Sequence, residues 1–183
     1  LTVTQTSDRM AADWQSFSIG QGHTVNFVQP SSSAVALNRV LGSDVSVIQG
    51  ALNANGQVFL VNPNGVLFTK DAQVNVGGIV ASTLNISNAD FLAGRNVFIN
   101  GGGAGNVINQ GEIRTPAGGS VYLIGSNVSN EGIITTPKGE TILAAGATYA
   151  IDTSVTLPMQ LEGGFNLFLR TDAGNVAVEP DTR

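Results

Sequence analysis

Residues able to perform acid–base, nucleophilic or metal chemistry are few and scattered. The chain has one histidine, His23, and no cysteine. A Ser-His-Asp triad would have to use His23, and the sequence has no Gly-x-Ser-x-Gly elbow. The carboxylates stand singly, so they form neither an acid–base pair nor a metal-ligand spacing; examples are Asp44, Asp71 and Asp90. We therefore expect no enzymatic activity, no bound metal and no cofactor.

The composition is weakly charged. Charged residues make up 11% of the chain, against roughly 25% in an average soluble domain. The formal net charge is −5, without a basic patch, so nucleic acid is not expected as a partner. The N-terminus has no basic segment or cleavage site, so the chain is either cytosolic or has already lost a signal peptide. The lack of cysteine fits a chain that crosses a membrane unfolded.

A repeat of 21 residues runs through the second half of the chain, as from Asn109 to Asn130. Each unit has a short alternating strand, a Gly/Asn turn and a second short strand, too short to be stable alone. The pattern favours an all-β parallel β-helix, with other all-β folds as the alternative, and coils stacked at about 4.8 Å. Asn109 would then lie over Asn130 as a stacked corner. After a one-residue slip in the repeat, the next stretches place two further pairs over each other: Val121 over Thr141, and Leu123 over Leu143.

The whole chain, residues 1–183, is predicted to form one domain. Residues 1–40 are predicted to cap the open end of the helix, with Trp14 and Phe17 in the core of the cap. Residues 41–183 are predicted to form coils, interrupted by excursions near 85–106 and 148–170. The first excursion reads as a hairpin or loop and the second as a small antiparallel sheet outside the helix. The C-terminus has no closing cap, so we expect an N-terminal fragment of a larger exported protein.

One motif carries a family resemblance. Asn62-Pro63-Asn64-Gly65 resembles the Asn-Pro-Asn-Gly motif of the two-partner-secretion (TPS) domain, also called the haemagglutination activity or filamentous-haemagglutinin N-terminal domain. The sequence looks closest to the high-molecular-weight adhesin branch. A second Asn-rich signature of filamentous haemagglutinin has no clear match, and Asn53-Ala54-Asn55-Gly56 is the candidate for its place. Further blocks resemble the family in the expected order: 13–20, 37–40, 53–60 and 76–84.

The resemblance implies a fold and a role. Such domains are right-handed parallel β-helices with an N-terminal cap and extra-helical antiparallel β elements. They follow the signal peptide of large exported adhesins, haemagglutinins, haemolysins and toxins of Gram-negative bacteria. A TpsB-type outer-membrane β-barrel transporter recognises them in the periplasm through its POTRA modules. The implied location is therefore secreted or cell-surface, the signal peptide already removed, with a downstream passenger β-helix and the host cell surface as further partners.

The motif is also a turn sequence. Pro63 restricts φ, Asn64 tolerates the left-handed region and Gly65 accepts positive φ. A fixed corner early in the chain would help the first coil form, and later coils would template on it. We hypothesise that such folding outside the cell drives export. A purely structural turn and a direct contact with the transporter remain alternatives for the motif.

Two other functions remain open. The domain itself could bind host glycans or receptors, which an exposed aromatic or polar groove would favour. A polysaccharide lyase would need clustered carboxylates and basic residues on one coil face, and the sequence spreads its carboxylates along the chain.

Overall fold

The computed structural model describes residues 1–99, 101–146, 148–150, 166–171 and 175–178. Short strands dominate them, and no helix among them is long and apolar enough to cross a membrane. The elements in chain order are β1 Thr2–Thr4, β2 Arg9–Trp14, β3 Thr24–Val28, β4 Val35–Val40, β5 Ser46–Ile48, β6 Ala51–Ala54, β7 Gln57–Val61, β8 Val66–Phe68, β9 Gln73–Asn75, β10 Gly78–Ser82, α1 Asn88–Leu92, β11 Val97–Ile99, β12 Asn106–Asn109, β13 Glu112–Arg114, β14 Val121–Gly125, β15 Asn127–Asn130, β16 Ile133–Thr135, β17 Glu140–Ala145, β18 Thr148–Ala150, β19 Asn166–Thr171 and β20 Asn175–Val178.

Three parallel sheets form the body of the molecule. Sheet A has the order β1-β3-β6-β9-β13-β16, sheet B the order β19-β17-β14-β10-β7-β4-β2, and sheet C the order β20-β15-β12-β8-β5. Successive strands of the chain pass from sheet A to B to C, and each pairs in parallel with its equivalents in the neighbouring coils. The predicted parallel β-helix is therefore confirmed. Two pairs have the predicted register: Val121 with Thr141, and Leu123 with Leu143.

Residues 1–40, predicted as a cap, continue the coils. β1 pairs in parallel with β3, and β2 with β4. β1 and β2 are the end strands of sheets A and B. The segment therefore supplies the terminal coil, and its role as a cap stays a prediction.

The interior of the coils is one continuous hydrophobic column. Strand alternation sends every second side chain inward, so equivalent residues of neighbouring coils contact each other. In sheet B, Val58 and Ile79 are register partners in this core, and Val121 follows in the next coil. Burying such residues stabilises the fold by about 1.5–3 kcal/mol per large side chain.

Part of the outer face of sheet B is also buried. The insertion between β10 and β12, residues 83–105, folds back over the outward side chains of β4, β7 and β10. Leu84, Ile86, Phe91 and Phe98 of the insertion are each at most 1% exposed. Within it, Asn85 and Ile99 form an antiparallel bridge, and β11 pairs antiparallel with β18. The predicted extra-helical antiparallel elements are therefore confirmed.

The helix α1 was not predicted. It is five residues long, too short to show a helical hydrophobic period. Its available signal was a capping pair, since the Asp90 amide donates to the Ser87 hydroxyl at 3.0 Å.

The second predicted excursion, 148–170, is wrong in part. β18 lies outside the coils, but β19 pairs in parallel with β17 in sheet B. An alternating strand pattern identifies a strand without identifying its partner, so the sequence could not distinguish the two arrangements. Residues 151–165 of this excursion lie outside the described residues.

Candidate functional site

The motif Asn62-Pro63-Asn64-Gly65 forms the corner between β7 in sheet B and β8 in sheet C. The Gly65 amide donates to the Asn62 carbonyl oxygen at 3.0 Å, which closes a four-residue turn, and Gly65 has a φ of 130°. Asn64 does not use the left-handed region that its residue type tolerates, because Lys138 alone has positive φ among described non-glycine residues. Without positive φ at its third residue the turn is of type I, which favours Asn at the first position and Gly at the fourth.

Asn62 ties this corner to the preceding coil. Its side chain is 0% exposed, and its amide nitrogen donates to the Asp44 carbonyl oxygen and to the Ser46 hydroxyl, each at 2.9 Å. Its side-chain oxygen accepts from the Asn64 amide at 3.0 Å. A buried amide with its hydrogen bonds satisfied specifies one geometry, since each lost partner costs free energy.

A glycine-rich loop lies over the motif on the opposite side. The Gly105 amide donates to the Pro63 carbonyl oxygen at 3.1 Å. A Cβ on Gly103 would lie 2.7 Å from the Pro63 Cβ, and one on Gly105 would lie 2.4 Å from the Gly65 nitrogen. Only glycine permits this approach, so the motif is held between the corner of the preceding coil and the loop that leads into β12.

Asn64 occupies the exposed side of the same turn. Its side-chain nitrogen donates to the Gly42 carbonyl oxygen at 2.8 Å and to the Asn62 side-chain oxygen at 3.1 Å. The neighbouring corner residues Leu41 and Val45 are 63% and 43% exposed, which is high for apolar side chains. The motif therefore has a buried structural half and an accessible half bordered by apolar surface.

The structure does not bring Asn53, Asn55 and Gly56 to the Asn62 motif. They lie at and before the corner between sheets A and B, and β7, about 16 Å long, separates the two corners. Asn53 donates to the Asn26 side chain at 3.0 Å. Asn55 donates to the Gln29 carbonyl oxygen at 2.8 Å and accepts from its amide at 2.7 Å.

Two buried glutamines support that corner, and sequence reasoning missed them. Gln29 donates to the Gln5 side-chain oxygen at 3.0 Å and accepts from the Gly56 amide at 3.0 Å. Gln5 and Gln29 are 4% and 6% exposed. The sequence could have revealed this pair through its spacing of 24 residues, which equals the register step from Thr2 to Asn26.

Trp14 and Phe17 pack edge to face with ring centroids 5.8 Å apart. The Trp14 indole donates to the side-chain oxygen of the fully buried Asn38 at 3.0 Å. The pair therefore joins the terminal coil to β4. Phe17 is 6% exposed, so its ring offers almost no surface to a ligand.

Asn109 and Asn130 are register partners in sheet C. The Asn109 side-chain nitrogen donates to the Asn130 side-chain oxygen at 2.7 Å. Each also bonds a glycine backbone two residues on: the Asn109 oxygen accepts from the Gly111 amide, and the Asn130 nitrogen donates to the Gly132 carbonyl oxygen. The ladder fixes the corner that the repeat of 21 residues marked.

Two ionisable groups of the described residues, Arg9 and Asp90, have a lowered pKa. Burial lowers the pKa of the Arg9 guanidinium, which lies 4.2 Å above the Phe91 ring and donates to Asn96 of the insertion. Hydrogen bonds from Ser87 and then Arg95 lower the pKa of the Asp90 carboxyl. Among the same residues, no three His, Cys, Asp or Glu side chains lie close enough to hold a metal ion.

Comparisons with known proteins agree on one family. The family model described as the TPS secretion domain matches residues 1–182. A heme/hemopexin-binding protein of Haemophilus influenzae is 51% identical over 86 residues, which are 47% of this chain and 9% of that protein. The protein of the same name from strain Rd is 43% identical over 106 residues, 58% of this chain and 11% of that protein. The chain therefore spans about a tenth of the length of these relatives.

A solved structure supports the same assignment. The crystal structure of the HMW1 secretion domain from Haemophilus influenzae superposes with a TM-score of 0.77 at 31% identity. The match covers 95% of this chain and 51% of that chain.

Proposed function

Since the chain belongs to the family of TPS secretion domains, we propose that its Asn62–Gly65 corner both nucleates folding and meets the transporter. The chain is a secretion domain of the kind found in exported proteins, and its likeness to the HMW1 secretion domain places it in the HMW-like branch of TPS domains. A TpsB-type outer-membrane barrel reads the exposed Asn64 side of the corner in the periplasm through its POTRA modules. The chain then folds coil by coil at the cell surface.

The observation that carries the proposal is the two-sided turn. Asn62 is buried and bonded to Asp44 and Ser46 of the preceding corner, whereas Asn64 is accessible. A turn with only a structural role would need the buried Asn62 but not the accessible Asn64. The exposed half, beside Leu41 and Val45, offers a partner polar and apolar contacts in one place.

The parallel register supports vectorial folding. Every strand of sheet B between β2 and β19 pairs with its equivalent in an adjacent coil, so each completed coil presents an edge on which the next can form. Chain that folds outside the cell cannot slide back, and this supplies a driving force for export without ATP.

The passenger is a second proposal. We propose a large exported protein with its signal peptide removed, whose downstream β-helix continues the coils and acts as an adhesin toward a host surface. The heme/hemopexin-binding relatives favour a heme- or hemopexin-binding passenger as the alternative. We propose no catalytic role, and the lyase alternative has no clustered carboxylates to support it among the described residues.

The test is secretion together with the cognate transporter. Asn64→Ala is expected to weaken capture of the domain by the isolated periplasmic modules and to lower the amount of secreted passenger. Asn62→Ala is expected to lower secretion through weaker folding. Asn75→Ala, an exposed asparagine on sheet A, is the matched control and should secrete normally. Unchanged secretion with both motif variants would overturn the proposal, and lost secretion with full capture of Asn64→Ala would remove the transporter contact.

A further inference from the structure

A groove of about 380 Å³ lies on the outer face of sheet B, beside the insertion. Its floor is formed by outward residues of β7, β10 and β14, among them Phe59, Val80 and Tyr122. Its walls are the corner loops between sheets A and B on one side and Asn96 of the insertion on the other. The groove crosses the strands, so it runs along the axis of the β-helix, and its volume is in the range of small-molecule sites.

The groove results from which residues pair across the strands of sheet B. Gln57 pairs with Gly78, and Ser120 follows beside Gly78 in the next coil. Because Gly78 has no side chain, the column has a gap between Gln57 and Ser120, whose strands are two spacings apart, about 9.6 Å. The Gln57 side chain leans into this gap, with its Cγ 3.4 Å from the place that a Cβ on Gly78 would take. A parallel column contains the aromatic and aliphatic side chains of the floor.

The chemistry of the lining is polar without charge. No Asp, Glu, Lys, Arg or His contributes to the groove. Within the part of the chain that the structure describes, neither the Gln57 side-chain amide nor the Ser120 hydroxyl has a hydrogen-bond partner. These groups are therefore available to a ligand that offers donors and acceptors without charge.

An extended peptide does not fit this surface as an added strand. β7, β10 and β14 are each paired on both sides in sheet B, so their backbone groups are already used, and strand addition requires an open edge.

We infer that the groove binds a neutral saccharide chain that lies along the axis of the β-helix. A sugar ring has an apolar face to pack on the half-buried Tyr122 and neutral hydroxyls for Gln57 and Ser120. An acidic sugar would lose hydration without gaining a cationic partner. The lining has no carboxylate to act as a general acid or base, so the site binds without cleaving. The inference is independent of the secretion role.

The experiment is calorimetric titration of the 183-residue chain with neutral tetrasaccharides of glucose, galactose and N-acetylglucosamine, and with a sialylated tetrasaccharide. At least one neutral tetrasaccharide is expected to bind. Gln57→Ala combined with Ser120→Ala should weaken it about tenfold, because two hydrogen bonds are lost. Ala117→Trp, at an exposed position of the wall, should block the groove without altering the coils. Gln73→Ala on sheet A is the matched control.

The inference is wrong if no neutral tetrasaccharide binds at millimolar concentration, if the sialylated ligand binds best, or if the groove variants bind like the unmodified chain. Circular dichroism checks that each variant is folded. Both groove variants are expected to be secreted normally with the transporter, so failure of this inference is distinguishable from failure of the secretion proposal.

Discussion

Asn62→Ala tests whether the motif is a structural tie. The side chain takes part in four hydrogen bonds, two as donor and two as acceptor. One acceptor of its amide nitrogen is the hydroxyl oxygen of Ser46, which is 1% exposed, so water would compensate poorly for the lost bond. A net loss of about 1 kcal/mol for each of the two bonds donated to Asp44 and Ser46, with up to about 2 kcal/mol more for the stranded buried groups, predicts a destabilisation of about 2–4 kcal/mol.

The measurement is urea unfolding followed by Trp14 fluorescence and circular dichroism. With a slope of about 2 kcal/mol/M, the expected loss moves the midpoint by about 1–2 M. Asn64→Ala is the matched control, since its side chain is exposed and water replaces its contacts; it should cost less than about 1 kcal/mol. The reasoning is refuted if the two variants are equally destabilised at unchanged slope, or if Asn62→Ala shifts the midpoint by less than Asn64→Ala.

Three further predictions concern other parts of the fold. Gly77→Ala places a Cβ 2.7 Å from a backbone oxygen of the preceding coil and should lower the free energy of unfolding by about 1–3 kcal/mol, measured by thermal unfolding. Its control is Gly101→Ala, where the nearest atom to the new Cβ is 4.0 Å away, and its free energy of unfolding should be within about 0.5 kcal/mol of that of the unmodified chain. Arg9→Gln removes the guanidinium from the Phe91 ring and should speed hydrogen exchange in α1 and β11. Asp90→Asn should destabilise the chain at pH 7 but not in acid, because a lowered carboxyl pKa stabilises the folded state above about pH 4 and the effect is lost as pH falls through the folded-state value.

Each of these has a clear contrary result. Equal melting temperatures for the two alanine variants would mean that the corner relaxes around a methyl group. Exchange that rises throughout the coils in Arg9→Gln would mean that Arg9 supports the whole body and not the insertion. A difference between Asp90→Asn and the unmodified chain that persists below the folded-state pKa would assign the effect to lost packing instead of charge.

The coil register could be predicted from the sequence for a direct reason. Parallel stacking places equivalent residues of successive coils side by side, so the structure preserves the sequence period as contact. Asn109 and Asn130 are such a pair, and so are Leu123 and Leu143. The turn at Asn62 was also predictable, because Pro at the second position and Gly at the fourth are local preferences.

Other features depend on contacts between distant parts of the chain. The two halves of the motif, buried Asn62 and exposed Asn64, have the same residue type and differ only in what lies beside them. Asn64 and Gly65 both tolerate positive φ, and in the folded chain Gly65 adopts it whereas Asn64 does not. A local pattern specifies that a turn exists, whereas burial depends on the neighbouring corner and the glycine loop that packs on it.

The all-β class, the stacking register and the corner motif follow from residues close in the chain or from a regular repeat, so they can be inferred without the structure. Three other features depend on how the chain packs: the insertion folds back onto sheet B, Arg9 contacts Phe91 82 positions away, and a groove remains beside the insertion. Alternation tells which face of a strand a side chain occupies. It does not tell what covers that face, since an apolar outer residue is compatible with solvent, an insertion or a ligand until the chain has packed.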